Sequence, residues 1–333
     1  MTLADPLRVV LVGAGLMGRA WRDIIEAAPD VELAAGTGAR AIVNVTVPAA
    51  HHEVSTAALF AGLDVLCEKP VADTVDQALS MAAASEATGR LLMVSQSRRW
   101  NPQLFALRAM IEDLGAVGAL TAQFFKAPRF NGFRATMAHP LLVDMAIHAF
   151  DSARFLLGAE PVSAYCEAYN PPWSWFEGDA AASAVFTMDD GARFTYTGSW
   201  CSPGAETSWN AQWRVSGEKG SASWDGDTEP VIAADVPPTQ HPRSPYAGIG
   251  GALQVFVEAL DTGAAPMGEV HENVMSLVMV EAAVLSAETG QRVVLDDVLA
   301  RAYTTALAAE TRPEVKEALL GWPSPRSALA RVP

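Results

Sequence analysis

The spacing of apolar positions divides the chain into two parts. Before residue 96, short β-branched runs alternate with helical stretches, which is typical of a doubly wound parallel sheet. These runs are residues 8–12, 31–35, 41–47, 64–67 and 91–95. From residue 117 onward, the spacing of apolar positions shortens to the alternation typical of strands, which predicts a mainly antiparallel open sheet. Its strands are residues 117–127, 161–169, 181–188, 192–199, 211–217 and 220–224, with helices at about 249–262 and 272–289. We therefore predict an α/β protein with a Rossmann domain (1–117) and an α+β domain (118–333).

The connection between the second and third apolar runs is unusually short. Residues 36–40 supply five positions, whereas a parallel crossover needs roughly a dozen, usually with a helix. We hypothesise that residues are missing between Ala35 and Ala41, either left out of the numbered chain or deleted in evolution. A continuous chain there, with both flanking strands in one parallel sheet, contradicts this hypothesis.

A glycine loop follows the first strand and opens a helix. In the segment Gly13-Ala14-Gly15-Leu16-Met17-Gly18, the first glycine permits the tight turn and the second lets a pyrophosphate approach. The third lets helix and strand pack closely. The alternative is an ordinary tight strand–helix turn.

The acid that usually binds the ribose hydroxyls of NAD is absent, because no acid precedes Glu53 after the second strand. Arg40 could face the 2′-phosphate of NADP or lie in a solvent-facing loop. The choice between NAD and NADP therefore stays open.

Lysine is scarce, with four residues against nineteen arginines, and Lys69 is the only lysine before residue 126. It lies in the turn Glu68-Lys69-Pro70 after the strand at 64–67, at the sheet edge where open α/β folds bind ligands. A lysine there can hydrogen-bond a substrate hydroxyl and stabilise developing oxyanion charge. The alternative is an ordinary surface lysine.

Residues 139–157 predict a helix that starts with Pro140 and stops at Gly158. Asp144, His148 and Asp151 then form a polar stripe at i, i+4 and i+7. A carboxylate one turn from an imidazole can orient it for general acid/base catalysis. The alternative is a structural hydrogen bond.

A basic neighbourhood surrounds these motifs and suggests a substrate site for an anionic sugar or another carboxylated molecule. The candidate substrate-binding residues are Arg98, Arg99, Trp100, Arg129, Asn131 and His139. Equally, these arginines could pair with nearby acids or bind cofactor phosphates. The tryptophans concentrated in the second half could stack on sugar rings, although core packing or a sheet–sheet interface is favoured. An exposed sheet face that carries such residues would suit a homo-oligomer.

Composition excludes several classes of protein. A net charge of −15 disfavours nucleic-acid binding. No apolar run approaches the length of a membrane span, and the first residues do not resemble a signal peptide. Three scattered cysteines and six histidines without metal spacing suggest neither a disulfide framework nor a metal site. We expect a cytoplasmic protein.

Together, these motifs resemble the Gfo/Idh/MocA oxidoreductases, such as glucose–fructose oxidoreductase and inositol dehydrogenase. The segments GAGLMG, VTVPAAHHEV, VLCEKP, SQSRRWNP and HPLLVDMAIHAFD carry the resemblance, which extends from Val9 to about Val294. It implies a nicotinamide cofactor, NAD or NADP, bound between the domains. For the cofactor side it implies Val47, Pro48, His51, Glu68, Lys69 and Pro70 in addition to Gly13, Gly15, Leu16, Met17 and Gly18.

The resemblance also implies catalytic roles. Lys69 contacts the substrate hydroxyl, His148 is its acid/base and Asp144 is the partner of His148. The expected activity is hydride transfer between the nicotinamide and a secondary alcohol or ketone of a sugar, polyol or acidic relative. The expected assembly is a dimer or tetramer. Two alternatives remain: a catalytically silent dinucleotide-binding sensor, and a structural or carbohydrate-binding module that binds no nucleotide.

Overall fold

The computed structural model describes residues 6–130, 132–234 and 244–330, and the chain forms two compact units. The first unit combines residues 1–100, 246–277 and 299–333, and the second combines 101–245 and 278–298. This division differs from the expected boundary after residue 117. Residues 101–117 pack with the second unit, and two later segments return to the first. The division into functional domains at residues 1–117 and 118–333 stays a prediction.

The first unit contains a five-stranded parallel sheet with the strand order β2-β1-β3-β4-β5. Its strands are β1 (Leu7–Val12), β2 (Val31–Leu33), β3 (Ala41–Asn44), β4 (Asp64–Glu68) and β5 (Leu92–Ser95). β3, β4 and β5 are buried along their whole length, as expected for central strands covered on both faces. The five apolar runs of the sequence therefore become these five strands.

Helices connect these strands and are α1 (Leu16–Ala27), α2 (Pro48–Phe60) and α3 (Val75–Thr88). Pro48 is the first residue of α2, where its missing N–H costs no hydrogen bond. Gly89 ends α3 in the left-handed conformation, with φ +61°, as helix-terminating glycines commonly do. Both helices lie where the sequence pattern has helical stretches between the apolar runs.

The short connection between β2 and β3 is continuous. Leu33 and Ala41 both lie opposite Val9, on the two sides of β1. The Ala34 N–H donates to the Val9 carbonyl, and the Arg40 N–H donates to the Arg8 carbonyl. Because β2 ends at the level where β3 begins, residues 34–40 can cross β1 without a helix. The hypothesis that residues are missing there is therefore contradicted.

The second unit contains an eight-stranded sheet with the order β12-β11-β10-β6-β9-β8-β7-β13. Only β6 and β9 pair in parallel; the other pairs are antiparallel. The strands are β6 (Val117–Phe125), β7 (Pro161–Tyr169), β8 (Ala181–Met188), β9 (Arg193–Ser199), β10 (Gln212–Gly217), β11 (Gly220–Trp224), β12 (Val231–Ala234) and β13 (Val293–Val294). The predicted fold class, a Rossmann sheet followed by a mainly antiparallel open sheet, is confirmed.

The remaining helices include several that the sequence pattern did not predict. They are α4 (Pro102–Asp113), α5 (Phe133–Thr136), α6 (Ile147–Leu157), α7 (Gly248–Thr262), α8 (Val270–Thr289), α9 (Leu295–Ala309), α10 (Pro313–Leu320) and α11 (Pro325–Leu329). By length and composition alone, α8 could cross a membrane, although most of its apolar window is buried inside the protein.

The single α-helix expected from His139 to Leu157 is wrong in its first part. Leu141–Ala146 form a π-helix, and α6 follows directly. A π-turn closes over one more residue than an α-turn, so it changes the angular spacing of the side chains. Asp144 and His148 therefore do not follow the uniform α-helical stripe that their spacing predicted. Gly158 ends α6 with φ +62°, as expected.

Candidate active site

The glycine loop has three distinct steric roles. Gly13 has φ +122°, and a Cβ there would lie 2.6 Å from the Val45 carbonyl oxygen. A Cβ on Gly18 would lie 2.2 Å from the carbonyl oxygen of Gly13, so only glycine lets α1 approach the loop. At Gly15 a Cβ would meet no atom within 4 Å. Gly13 and Gly18 therefore shape the loop, whereas Gly15 leaves open space beside its backbone.

This open space fits the pyrophosphate of a dinucleotide. Gly15 is the N-cap residue of the twelve-residue helix α1 and makes no side-chain capping bond. The first amides of a helix have no intrahelical acceptor and favour an anion. Leu16 and Met17 are exposed, Leu16 at 76%. The open space at Gly15 fits the phosphate-binding role that the sequence suggests for the loop from Gly13 to Gly18, and that role stays a prediction.

The backbone of Arg40 lies toward the amino end of β1, because its N–H donates to the carbonyl of Arg8, four residues before the strand ends at Val12. Dinucleotides bind at the carboxyl ends of the strands. This position favours the solvent-facing loop arginine over a contact with a 2′-phosphate.

His51 joins two loops at the carboxyl edge of the parallel sheet. Its buried ring has Nδ1 2.7 Å from the carbonyl oxygen of Pro70 and Nε2 3.1 Å from that of Thr46. Burial lowers the pKa of His51 despite these two carbonyl contacts, and a neutral ring has one N–H to donate. Because Nδ1 contacts the carbonyl of Pro70, His51 links α2 to the turn that follows Lys69. Val47 is exposed just before α2.

The Glu-Lys-Pro turn is anchored from within the unit. Glu68 is buried at the end of β4, and its Oε1 accepts a hydrogen bond from the indole Nε1 of Trp21 at 2.8 Å. Its Oε2 accepts from the Lys69 backbone N–H at 3.1 Å. The Lys69–Pro70 peptide is cis. Lys69 itself is partly buried, at the carboxyl end of β4.

In the second unit, Asp144 forms an ion pair with Arg134. The Arg134 Nε lies 2.5 Å from Asp144 Oδ2, and a second guanidinium nitrogen lies 3.4 Å from Oδ1. His148 lies at the start of α6 with 8% of its surface exposed. Asp151 is also buried. The charge of Asp144 is thus balanced by Arg134.

The candidate substrate residues have different environments. Arg99 is 1% exposed and forms an ion pair with Glu272, and Trp100 is buried with its ring edge against Tyr246. For Arg99 this matches the alternative of an arginine paired with a nearby acid. Asn131 lies outside the described residues.

Two further candidates lie in the second unit. Arg129 is exposed and stacks over Trp175, with 4.1 Å from its Cζ to the ring centroid. His139 lies 3.4 Å from Asp179 and 3.7 Å from Glu288, measured between ring nitrogens and carboxylate oxygens. Arg98 is partly buried just after β5.

Sequence reasoning missed the two residues that hold the predicted site in place, Trp21 and Arg134. Trp21 lies on the buried face of α1, and an indole N–H in a core needs an acceptor. That requirement could have signalled a polar partner but not its identity. Within the described ranges 6–130, 132–234 and 244–330, no group of three or more His, Cys, Asp or Glu could hold a metal ion.

The fold and the glycine loop define a Rossmann-type dinucleotide-binding protein with a second, sheet-based unit. Residues 25–96 match the model of the oxidoreductase family with an NAD-binding Rossmann fold. Residues 106–223 match the GFO/IDH/MocA C-terminal domain. Together the two matches cover more than half of the chain.

Individual relatives agree with these matches. The chain is 27% identical over 283 residues to D-apiose dehydrogenase from Paraburkholderia graminis, covering 78% of this chain and 74% of that protein. It is 33% identical over 146 residues to inositol 2-dehydrogenase from Rhizobium meliloti, covering 42% and 41%.

Among solved structures, an oxidoreductase from Agrobacterium radiobacter in complex with NAD+, L-tartaric acid and magnesium has a TM-score of 0.77 at 19% identity. The match covers 89% of this chain and 100% of that one. At this identity the likeness concerns the fold.

The chain belongs to the Gfo/Idh/MocA oxidoreductases. It is therefore an oxidoreductase that uses a nicotinamide dinucleotide, NAD or NADP, for hydride transfer.

Proposed function

We propose that this chain transfers a hydride between its nicotinamide cofactor and a secondary alcohol or ketone of a sugar, polyol or acidic relative, with Lys69 and His148 as catalytic residues. One observation carries the proposal. Lys69 directly follows β4, and the glycine loop directly follows β1, in one parallel sheet. Both therefore leave the same edge, where α/β sheets bind ligands.

The substrate class is inferred from relatives. One is named D-apiose dehydrogenase and another inositol 2-dehydrogenase. The substrates in these names are a pentose and a cyclic polyol. Both molecules present a carbinol that can lose a hydride. We take a sugar or polyol hydroxyl as the reacting group of this chain.

Each proposed residue supplies one part of the reaction. When bound, the nicotinamide accepts or supplies the hydride. Lys69 donates a hydrogen bond to the substrate oxygen and stabilises its alkoxide character. His148 takes the hydroxyl proton during oxidation and returns it during reduction. Asp144 acts as the partner of His148, with its charge moderated by Arg134.

Arg129 is the strongest remaining candidate for contact with an acidic substrate. Lys126 and Arg134, its neighbours in sequence, are paired with Glu206 and Asp144. Arg129 is exposed and its guanidinium lies over the ring of Trp175, an arrangement that leaves guanidinium N–H groups available to a carboxylate.

We also propose a cytoplasmic homo-oligomer, a dimer or tetramer. Large apolar side chains are exposed in the second unit, and such side chains suit a subunit interface. They are Val162, Tyr169, Trp173, Trp209, Val231 and Val294. Light scattering coupled to size-exclusion chromatography measures the assembly, and a monomer at micromolar concentration contradicts it.

Calorimetric titration with NADH and with NADPH, followed by a turnover screen of polyols, aldoses and uronic acids, tests the function. With the best substrate, Lys69→Ala and His148→Ala should each lower kcat by about a hundredfold or more, while the fold and cofactor binding persist. Arg214→Ala, an exposed strand residue of β10, is the control. Wild-type kcat in both variants contradicts the residue roles. Cofactor binding without turnover on any substrate indicates a sensor.

A further inference from the structure

Trp21 forms a polar contact from within the core of the first unit. Its side chain is 0% exposed, yet its indole N–H donates to Glu68 at 2.8 Å, across 47 residues of sequence. A phenyl ring would bury the same kind of surface without a donor. The only polar group of this side chain is therefore directed at the residue immediately before Lys69.

Glu68 connects Trp21 to the backbone of Lys69 through two hydrogen bonds. One of its oxygens accepts from Trp21 and the other accepts from the Lys69 N–H at 3.1 Å. A buried carboxylate needs strong donors, and two donors on its two oxygens determine its orientation. The peptide from which the Lys69 side chain starts is thus held by a buried carboxylate, which is itself held by α1.

We propose that Trp21 is a positioning residue for Lys69, acting through Glu68. The indole is wedged in the core of the first unit, so it supplies a rigid donor at a small cost in side-chain entropy. Trp21 lies three residues after Gly18, on the helix that follows the glycine loop. The same helix that receives the phosphates therefore orients the turn that carries the lysine. This inference rests on the role of Lys69 proposed above.

Trp21→Phe tests the proposal because it removes the N–H donor and keeps an aromatic ring in the core. We expect kcat to fall about tenfold to a hundredfold through misplacement of the lysine. The KM of the substrate and the calorimetric Kd of NADH should change by less than about threefold, since the alkoxide charge that Lys69 stabilises develops in the transition state and not in the bound ground state.

Trp213→Phe is the matched control. Trp213 is also buried, and its indole N–H donates to the Asn210 carbonyl at 2.7 Å in the second unit. The control loses the same atoms and the same kind of donor, so its melting temperature should fall by a similar amount. Its kcat should remain that of the wild type. If both variants lose kcat equally, loss of core packing explains the effect and the proposal fails.

Glu68→Gln provides a second route if Trp21→Phe does not fold. The amide cannot accept on both sides, so either Trp21 or the Lys69 N–H loses its acceptor. We expect the same fall in kcat, and wild-type kcat in this variant overturns the proposal. Where both variants fold, the double variant should lose little more kcat than the worse single variant, because both interrupt one chain of contacts. If the fold-losses in kcat of the two single variants multiply in the double variant, the positioning proposal is contradicted.

The Lys69→Ala variant separates the two proposals. If it keeps wild-type turnover, the role of Lys69 is wrong and the positioning role of Trp21 falls with it. If it loses turnover while Trp21→Phe and Glu68→Gln keep wild-type kcat, the catalytic role of Lys69 stands and only the positioning role is refuted.

Discussion

The guanidinium of Arg134 and the carboxylate of Asp144 form an ion pair, with Nε 2.5 Å from Oδ2. Both side chains are largely sheltered from solvent, where a charge pair is screened less than on an open surface. The pair places a permanent cation beside the acid that the sequence assigns to His148. It therefore connects α5, which precedes the π-helix, to the proposed acid/base chemistry.

Removal of this cation should change the pH dependence of catalysis. In Arg134→Gln, the carboxylate of Asp144 acts on His148 without compensation and stabilises the imidazolium. The acidic limb of the kcat/KM profile for alcohol oxidation should move to higher pH by about half a unit to one unit. Arg214→Gln, on an exposed position of β10, makes the same charge change and should not move the limb. An unchanged limb in Arg134→Gln contradicts the link between Asp144 and His148.

Two glycines of the loop should respond in opposite ways to a side chain. Gly15→Val adds atoms where the structure has open space, so the melting temperature should stay unchanged while the Kd of NADH rises at least about tenfold by steric exclusion. Gly18→Ala brings a Cβ to 2.2 Å from the Gly13 carbonyl oxygen. It should destabilise the fold by about 1–3 kcal/mol or more. Calorimetric titration and thermal unfolding measure both; unchanged NADH binding in Gly15→Val refutes the pyrophosphate site.

His271 should make the stability of the first unit pH-dependent. Its Nδ1 lies 2.8 Å from Glu269 and its Nε2 lies 2.9 Å from Glu86. Burial alone would lower the pKa, but hydrogen bonds and charge from the two carboxylates raise the pKa of His271 to about 9. The folded state then binds more protons than the unfolded state, whose histidine titrates near 6.5. The stabilisation is full below pH 6.5 and is lost as the pH rises through about 9.

Urea unfolding at pH 6.5, 7.5 and 9 measures this effect. The wild type should lose stability of the order of 3 kcal/mol across this range, and His271→Gln should lose that dependence. His52→Gln is the contrast, because burial lowers the pKa of His52. Its contribution changes below pH 6.5 rather than above, so the alkaline loss should persist. If His271→Gln loses as much unfolding free energy between pH 6.5 and pH 9 as the wild type does, the prediction is wrong.

Gly178 should be essential for the segment that precedes the π-helix. A Cβ there would lie 2.1 Å from the Ala138 carbonyl oxygen, and the flanking amides of Glu177 and Asp179 donate to Ala135 and Ala138. Gly178→Ala must displace this backbone and should cost about 1–3 kcal/mol or more.

Gly118→Ala is the control, since its nearest neighbour would lie at an ordinary 3.9 Å. It should be neutral or slightly stabilising in β6, because alanine loses less entropy than glycine on folding. Thermal unfolding ranks the two variants, and equal melting temperatures contradict the close approach at Gly178.

Much of the fold was predictable because its causes are local. β-Branched runs become the parallel strands, and glycines stop α3 and α6 where left-handed conformations are needed. The roles of Gly13 and Gly18 also follow from spacing alone, because a strand followed at once by a helix leaves no room for side chains there. The edge strand β12 was missed because its four residues carry too little pattern.

The sequence by itself determined the succession of the five parallel strands, the glycine loop, the Glu-Lys-Pro turn and hence the class of cofactor. Tertiary structure decided how the candidate side chains are held: Trp21 through Glu68, Arg99 with Glu272, and Asp144 with Arg134. It also decided that seven residues suffice between β2 and β3, because both strands meet β1 at Val9. The physical reason is the range of the interactions. Backbone sterics and hydrophobic period act over a few residues, whereas a buried charge takes whichever partner the folded chain brings within about 3 Å.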